Sequence, residues 1–270
     1  MSATTKTVLS AYVNGLSVIG PGLLNWADSV DVLSGTNHYE TAPTVLPSPK
    51  ILPPAERRRS GQLVKLTLAV GLEAAQLAGE DPANLACVYT SSSGDGKNCH
   101  EICQTLASDD RQISPTRFHN SVHNAAAGYW SIATGAQTPI SVLCAHDASF
   151  GAGLLETITQ VVTDQISTIL IATDSPYPEP LHHARPISDA FGLSMVFSPN
   201  QTKQTVAKIQ ISLTHEPATE LTDPALETLR AAIPAARGLP IITAIAKKQS
   251  ETISLDYLDH TQILVEITPC

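Results

Sequence analysis

Aromatic side chains make up only 4% of the 270 residues, and charged ones only 15%. A core must therefore be assembled from small and aliphatic side chains, with helices and strands in close contact. Hydrophobic residues reach 43%, enough for a substantial core. No apolar run approaches the roughly 20 residues that a membrane-crossing helix needs. The amino-terminal MSATTKTVLS has no charged region followed by an apolar one and a cleavage site, so no leader is expected and a cytoplasmic location is. Basic residues are outnumbered, with 16 Lys and Arg against 25 Asp and Glu. The net charge of −9 argues against general nucleic-acid binding. The five cysteines are an odd count without regular spacing, which suits reduced thiols rather than a disulfide framework. No internal repeat of fixed period is present.

The sequence reads as strands alternating with helices. Residues 8–19 form a first strand, broken by Gly20-Pro21-Gly22, and residues 23–33 a helix with Trp26 on its apolar face. Residues 35–54 hold five prolines and read as a long loop, which in a compact domain is usually functional or packed on a partner. Residues 55–79 give the clearest helical spacing, in Leu63, Leu66, Val70 and Leu77. Further strands are expected at 85–90, 140–143, 166–173, 193–198, 206–215, 240–247 and 263–268. Further helices are expected at 98–106, 148–165 and 223–236. The near-continuous apolar run ISTILIAT resembles a parallel strand buried on both faces. The fold expected is a single α/β domain over residues 1–270, with a mixed, mainly parallel sheet flanked by helices.

The most informative stretch is 114–156, SPTRFHNSVHNAAAGYWSIATGAQTPISVLCAHDASFGAGLLE. It reads as a helix, a turn, a buried strand and a sharp entry into a second helix. Cys144 sits at that entry, where unpaired backbone N–H groups would favour a thiolate. It is either an acyl nucleophile, a buried small hydrophobe at a turn, or a regulatory or accidental thiol. His146 lies two residues on and would not share a helical face with it.

Other clusters point less far. His119 and His123 are four apart and would share one face of a helix, but no third ligand follows. Cys99-His100 and Cys103 lack the second pair of a zinc site. Ser91 to Lys97 ends in Gly-Lys after a strand, yet a phosphate loop needs glycine at 91 and Ser or Thr at 98, where Ser91 and Asn98 stand. No metal and no cofactor are expected. Arg57, Arg58 and Arg59 are a solvated helix start or a docking patch for an acidic partner.

Several segments line up, in order, with one family. AYVNGLSVIGPG resembles the first strand and turn of the β-ketoacyl synthases. ADSVDVLSG resembles their first helix, and LPPAERRRSGQLVKLTLAVGLEAAQLAG the long helix after the variable loop. DPANLACVYTSSSGDG is similar to the second strand and its turn, and residues 114–156 to the dimer-interface and nucleophile segment. ISTILIATDSP and AFGLSMVF resemble the strands closing the amino-terminal half. The resemblance covers about residues 1–198, leaving 199–270 as a divergent short αβ tail. It implies a thiolase-like half.

The likeness is greatest to the short, half-length synthase-like proteins of aryl polyene and related type II pathways, read there as chain-length factors. A decarboxylating condensation needs a thiolate, oxyanion donors and groups that stabilise the enolate. Complete synthases take two histidines for this from their second half, one in a His-Gly-Thr sequence. None of the nine histidines here precedes glycine. Around the family nucleophile a pattern like Ala-Cys-Ala-Ser-Ser is expected, and His146 and Asp147 depart from it.

The resemblance therefore implies a non-condensing subunit that pairs with a complete β-ketoacyl synthase, meets acyl carrier protein and shapes the acyl tunnel. The pairing strand would be Thr138, Pro139, Ile140, Ser141, Val142 and Leu143, with Gly128, Tyr129, Trp130 and Ile132 near that interface or tunnel. Arg57, Arg58 and Arg59 would dock the carrier. Two alternatives remain open: a stand-alone acyltransferase or thioesterase acting through Cys144, and a carrier-binding scaffold.

Overall fold

The computed structural model describes residues 7–270; the first six residues of the stretch read above for a leader lie outside it. In chain order the elements are β1 (Leu9–Ile19), α1 (Trp26–Leu33), α2 (Pro54–Arg59), α3 (Gln62–Ala78), β2 (Ala86–Thr90), α4 (Gly96–Ala107), α5 (Pro115–His119) and α6 (Ala125–Thr134). Then come β3 (Ile140–Leu143), α7 (Ser149–Asp164), β4 (Thr168–Asp174), α8 (Leu181–Ala184), β5 (Phe191–Ser198) and β6 (Ala207–Thr214). The last are α9 (Pro224–Ala232), α10 (Leu239–Lys247), β7 (Glu251–Leu258) and β8 (Thr261–Pro269).

All the strands join one eight-stranded sheet in the order β3-β2-β4-β5-β1-β6-β8-β7. The sheet is mixed and helix-flanked, as expected. It is not mainly parallel, however: only β3-β2 and β2-β4 run parallel. From β4 onward every pairing is antiparallel. Helical crossovers set parallel pairing among β2, β3 and β4, whereas β4 and β5 are joined by a connection holding only the one-turn α8, and β7 and β8 by a hairpin.

Strand alternation splits the core across the two faces. On β4, Ile169 and Ile171 join Leu66, Val70, Ala74 and Trp130 beneath α3 and α6. Leu170 and Ala172 point the other way, toward α7, α10 and a 3-10 turn at Pro234–Gly238. Close approach replaces aromatic bulk, as the composition implies. A Cβ on Gly15 would stand 2.1 Å from the Ala74 carbonyl oxygen, so α3 rests directly on β1.

The tail closes around α7. Gly153 faces Thr90 of β2 and Leu170 of β4, whereas Gly151 faces Tyr257 of β7 and Ile263 of β8. Two residues on a helix are about 200° apart. The far end of the sheet therefore curls over and clasps α7 from the opposite side.

Three element assignments differ from the sequence reading. The helix expected at 55–79 is broken at Ser60, which is extended and donates its hydroxyl to the Arg57 carbonyl at 2.8 Å. Residues 240–247 are not a strand but most of α10, buried all round from Leu239 to Ala246. A short continuous apolar run does not distinguish the two states. The strand β7 was not foreseen, and it forms a hairpin with β8.

Candidate functional site

β3 is the end strand of the sheet. Its register on β2 pairs Cys87 with Ile140 and Thr90 with Leu143. The Cys87 amide donates to the Pro139 carbonyl at 3.0 Å, and the Ser91 amide to that of Leu143 at 3.4 Å. Strand alternation thus turns the odd-numbered residues toward β2 and leaves the amides and carbonyls of Ile140 and Val142 on the open side. The side chains of Ile140 and Val142 pack on the α3–α6 cluster. Thr138 fixes the strand's start by donating to the Leu85 carbonyl at 2.6 Å, and Ser141 accepts from Gln160 of α7 at 3.0 Å.

Apolar side chains on α5, on α6 and on the turn between them are left in solvent. Phe118 is 68% exposed, Ile132 57% and Val122 54%. Nothing lies within 4 Å of where a Gly128 Cβ would stand, so that part of α6 offers a flat approach. Of the residues expected here, Gly128 and Ile132 lie at the surface. Tyr129 and Trp130 do not: both are buried in the chain's own core, and the Trp130 ring fills the space over Gly71. Burial pushes the Tyr129 hydroxyl pKa up. Phe118 and Val122 escaped the sequence reading. Their signal was a lone apolar residue in each of two strongly polar surroundings.

Cys144 follows β3 directly and is exposed, so it is not a buried hydrophobe; its thiol donates to the Ser92 carbonyl at 3.2 Å. It does not stand at a helix N-terminus. A 3-10 turn at His146–Ala148 intervenes, and α7 begins only at Ser149. The field of a helix end falls off within one turn. The residue at the tip of the strand-to-helix turn is His146, in a left-handed backbone conformation at φ 53°. Such a conformation costs energy in a residue other than glycine, and here it is held from both sides. The Ser149 hydroxyl donates to the His146 carbonyl at 2.7 Å and accepts from the Ala145 amide at 3.0 Å.

Asp147 anchors this turn to distant chain. Its carboxylate accepts from Arg185 and lies 3.8 Å from the Arg237 guanidinium and 3.6 Å from His146 Nδ1. Arg185 also donates to the Tyr177 hydroxyl at 3.0 Å and stacks over that ring. The two departures from the family pattern, His146 and Asp147, thus form a charged turn at a solvent-open groove of about 750 Å³, walled otherwise by β7 and its hairpin. Beneath lies Asp174, 1% exposed. It accepts from the Ser92 amide at 2.8 Å, the Ser92 hydroxyl at 2.7 Å, the Ser91 hydroxyl at 3.3 Å and the Ala235 amide at 2.8 Å. Burial raises its pKa despite these donors.

The arginine run divides. Arg57 is structural, donating to the carbonyls of Lys50 and Leu52 at 3.1 and 3.0 Å. Arg58 and Arg59 line a second groove, of about 630 Å³, with Lys65, Lys97 and Arg117. Asp95 and Glu101 are its acidic members, and Glu101 pairs with Arg117. His119 and His123 do not share a helix, because α5 ends at His119. His123 instead meets the Ser91 carbonyl at 3.0 Å. No group of three or more metal-ligating side chains occurs among the described residues. Among them, too, no helix is long and apolar enough to cross a membrane.

No curated protein sequence matches the chain. Solved structures do. One is the ketosynthase ApeO in complex with its chain length factor ApeC from Xenorhabdus doucetiae, matched at TM-score 0.72 and 22% identity over 96% of this chain and 99% of the other. The ishigamide ketosynthase/chain length factor matches at 0.69 and 11%, over 96% and 99%. A type II polyketide acyl-carrier protein complex with its ketosynthase matches at 0.69 and 9%, over 98% and 100%. At these identities the likeness establishes a shared fold. The model of the β-ketoacyl synthase N-terminal domain matches residues 30–259, most of the chain, and the chain therefore belongs to the β-ketoacyl synthase family.

Proposed function

We propose that the chain is a non-condensing, chain-length-factor-like subunit that pairs through β3 with a complete β-ketoacyl synthase and forms part of its acyl tunnel. The observation that carries this reading is the open β3 edge. It presents backbone groups of Ile140 and Val142 that are unpaired among the described residues, and the segment leading into it exposes the apolar side chains of Phe118, Val122 and Ile132. A bare apolar edge is a liability in a lone protein and an asset in an obligate pair. The chemistry agrees. The tip of the turn carries His146, and Cys144, two residues before it, contacts a carbonyl rather than a base.

The partner supplies the condensing machinery, and this subunit sets how long a chain fits. Polyene or fatty-acid-like biosynthesis in the cytoplasm is the setting that suits such a pair. Residues 199–270 complete the sheet with β6, β8 and β7 and clasp α7. The groove at Arg58 and Arg59 is the docking place for an acidic acyl carrier protein, whereas Arg57 is committed to its own loop.

Co-expression with a complete β-ketoacyl synthase of the same organism tests the reading. The expected result is copurification as a heterodimer whose product length changes when tunnel-facing residues change. A stable monomer that never copurifies overturns it. Stoichiometric acylation of the lone chain by an acyl-carrier thioester, lost in Cys144→Ala, favours an enzyme acting alone.

A further inference from the structure

The helix α4 carries two exposed thiols, Cys99 and Cys103. They are the only cysteines that share an element: Cys87 lies on β2, Cys144 follows β3 and Cys270 follows β8. Residues four apart on a helix stand one above the other on a single face. The two are close enough for one to feel the charge of the other. Burial first, then the charges of Asp95 and Cys103, push the Cys99 thiol pKa up.

The backbone under the pair is fixed from the other side of the helix. Asp95 caps α4 by accepting from the Asn98 amide at 2.9 Å, Asn98 donates to the Arg117 carbonyl at 2.8 Å, and Glu101 pairs with Arg117. The thiols themselves are lightly held. Cys99 reaches only the Ser121 carbonyl, at 3.9 Å. Their spacing selects the chemistry. Cβ atoms four residues apart on a helix are about 5–6 Å apart. A disulfide needs them at roughly 3.5–4.5 Å, so closing one would distort α4. A metal ion between the sulfurs supplies the missing length: two bonds of about 2.3 Å in line set the sulfurs about 4.6 Å apart. Thiolates select soft ions. Zinc demands four ligands, and no group of three or more ligating side chains, His100 included, occurs among the described residues. A monovalent d10 ion is satisfied by two thiolates in line.

We propose that Cys99 and Cys103 form a two-thiolate site for one soft monovalent d10 cation, with cuprous copper as the type. Both thiols lose their protons and both sulfurs bond to the metal, so one Cu⁺ enters, two protons leave and no electron is transferred. The lack of a second zinc pair does not bear on an ion of coordination number two. Lys97 and Glu101, which line the groove of Arg58 and Arg59, each stand two residues before one of the cysteines and so about 200° around α4 from it. The site therefore faces away from that groove, and it does not rest on the pairing through β3.

The test is anaerobic titration of the reduced full-length chain with Cu⁺ buffered by bicinchoninate, whose coloured chelate fades as the protein takes the metal. One Cu⁺ per chain should bind. Cys99→Ser and Cys103→Ser should each weaken binding by at least about 100-fold, because losing a ligand exceeds the 10–100-fold cost of losing a ligand's supporting contact. Cys144→Ser and Cys270→Ser should leave it unchanged. Ile102→Cys combined with Cys103→Ala keeps the number of thiols but turns one off the shared face, and should weaken binding as much as Cys103→Ser. Release of two protons should make the affinity rise by about 100-fold per pH unit between pH 6 and 7.5. All the altered side chains but Ile102 are exposed, so the single variants should fold, and circular dichroism checks each one. Failure of the wild-type chain to draw Cu⁺ from bicinchoninate overturns the proposal. So does unchanged affinity in the folded Cys103→Ser variant, or an equal loss in Cys144→Ser.

Discussion

At one end of the sheet β3 runs only Ile-Ser-Val-Leu, with no charge and no bulge. At the other end β7 runs eight residues and carries Glu251 and Asp256, with a register shift between Leu255 and Leu258. It also curls over α7, where Tyr257 packs on Gly151, and it is pinned to α9 by the Asp256–Arg230 ion pair. Charges, bulges and curling are the devices by which sheets avoid pairing with further strands. Both edges belong to one sheet in one chain, so the difference does not follow from composition or fold class. It teaches that the tail was built to terminate the sheet, while the β3 end was left able to continue it. Substitutions near β7 should therefore act on stability, and those near β3 on assembly.

The junction between these two regions should give the largest effect. Asp174 joins the β2 turn, through Ser91 and Ser92, to the tail at Ala235. Asp174→Ala leaves the Ser92 and Ala235 amides without their acceptor in a buried site. Urea denaturation should show a loss of about 3 kcal/mol or more, from at least two orphaned donors at about 1–3 kcal/mol each. Next comes the assembly arm. Ile132→Arg combined with Val122→Asp should weaken pairing with the synthase by about 100-fold, or about 2.8 kcal/mol. The same double variant should leave the stability of the isolated chain within about 0.5 kcal/mol, because both side chains are already in water. A double variant that unfolds the chain, or that pairs normally, breaks the contrast between the edges.

Much of this architecture was legible in residue order. The apolar run of β4 and the spacing of α3 announce buried elements whatever surrounds them. So does the small-residue economy that lets Gly15 meet Ala74. The limits are physical. Whether β3 ends the sheet depends on which strands lie beside it, and a strand's own four residues do not encode that. The run Pro-Ile-Ile-Thr-Ala-Ile-Ala-Lys satisfies a buried strand and a buried helix equally well, and tertiary packing chose the helix. Asp147 looked like a misfit beside Cys144 because the arginines that explain it, Arg185 and Arg237, arrive from distant chain. One local hint did exist: histidine is among the few non-glycine residues enriched in the left-handed conformation that the tip of the turn adopts.

The β7 side gives smaller effects of a different kind. Arg230 is nearly buried, and it donates to both oxygens of Glu227 as well as to Asp256. Arg230→Ala should cost about 2 kcal/mol through lost packing and two stranded carboxylates, below the 3–5 kcal/mol of a fully buried pair because both acids are partly in water. It should leave copurification with the synthase intact. The smallest effect is a pH dependence. Hydrogen bonds from Arg230 hold the Glu227 pKa below its ordinary value of 4.5. A carboxylate whose folded pKa is depressed contributes fully above the unfolded value, and that contribution is lost as pH falls through the folded one. The stability difference between the wild type and Glu227→Gln should therefore be constant from pH 7 down to about 5 and shrink below 4.5. Asp174 has the opposite slope, because burial raises its pKa: the folded state binds its proton more readily, so its contribution falls as pH rises through that range. Urea midpoints collected between pH 3.5 and 7 separate the two, since Asp174→Asn removes the second slope and Glu227→Gln the first. A Glu227→Gln difference that grows on acidification would mean that the Arg230 cluster does not hold the β7 edge in place.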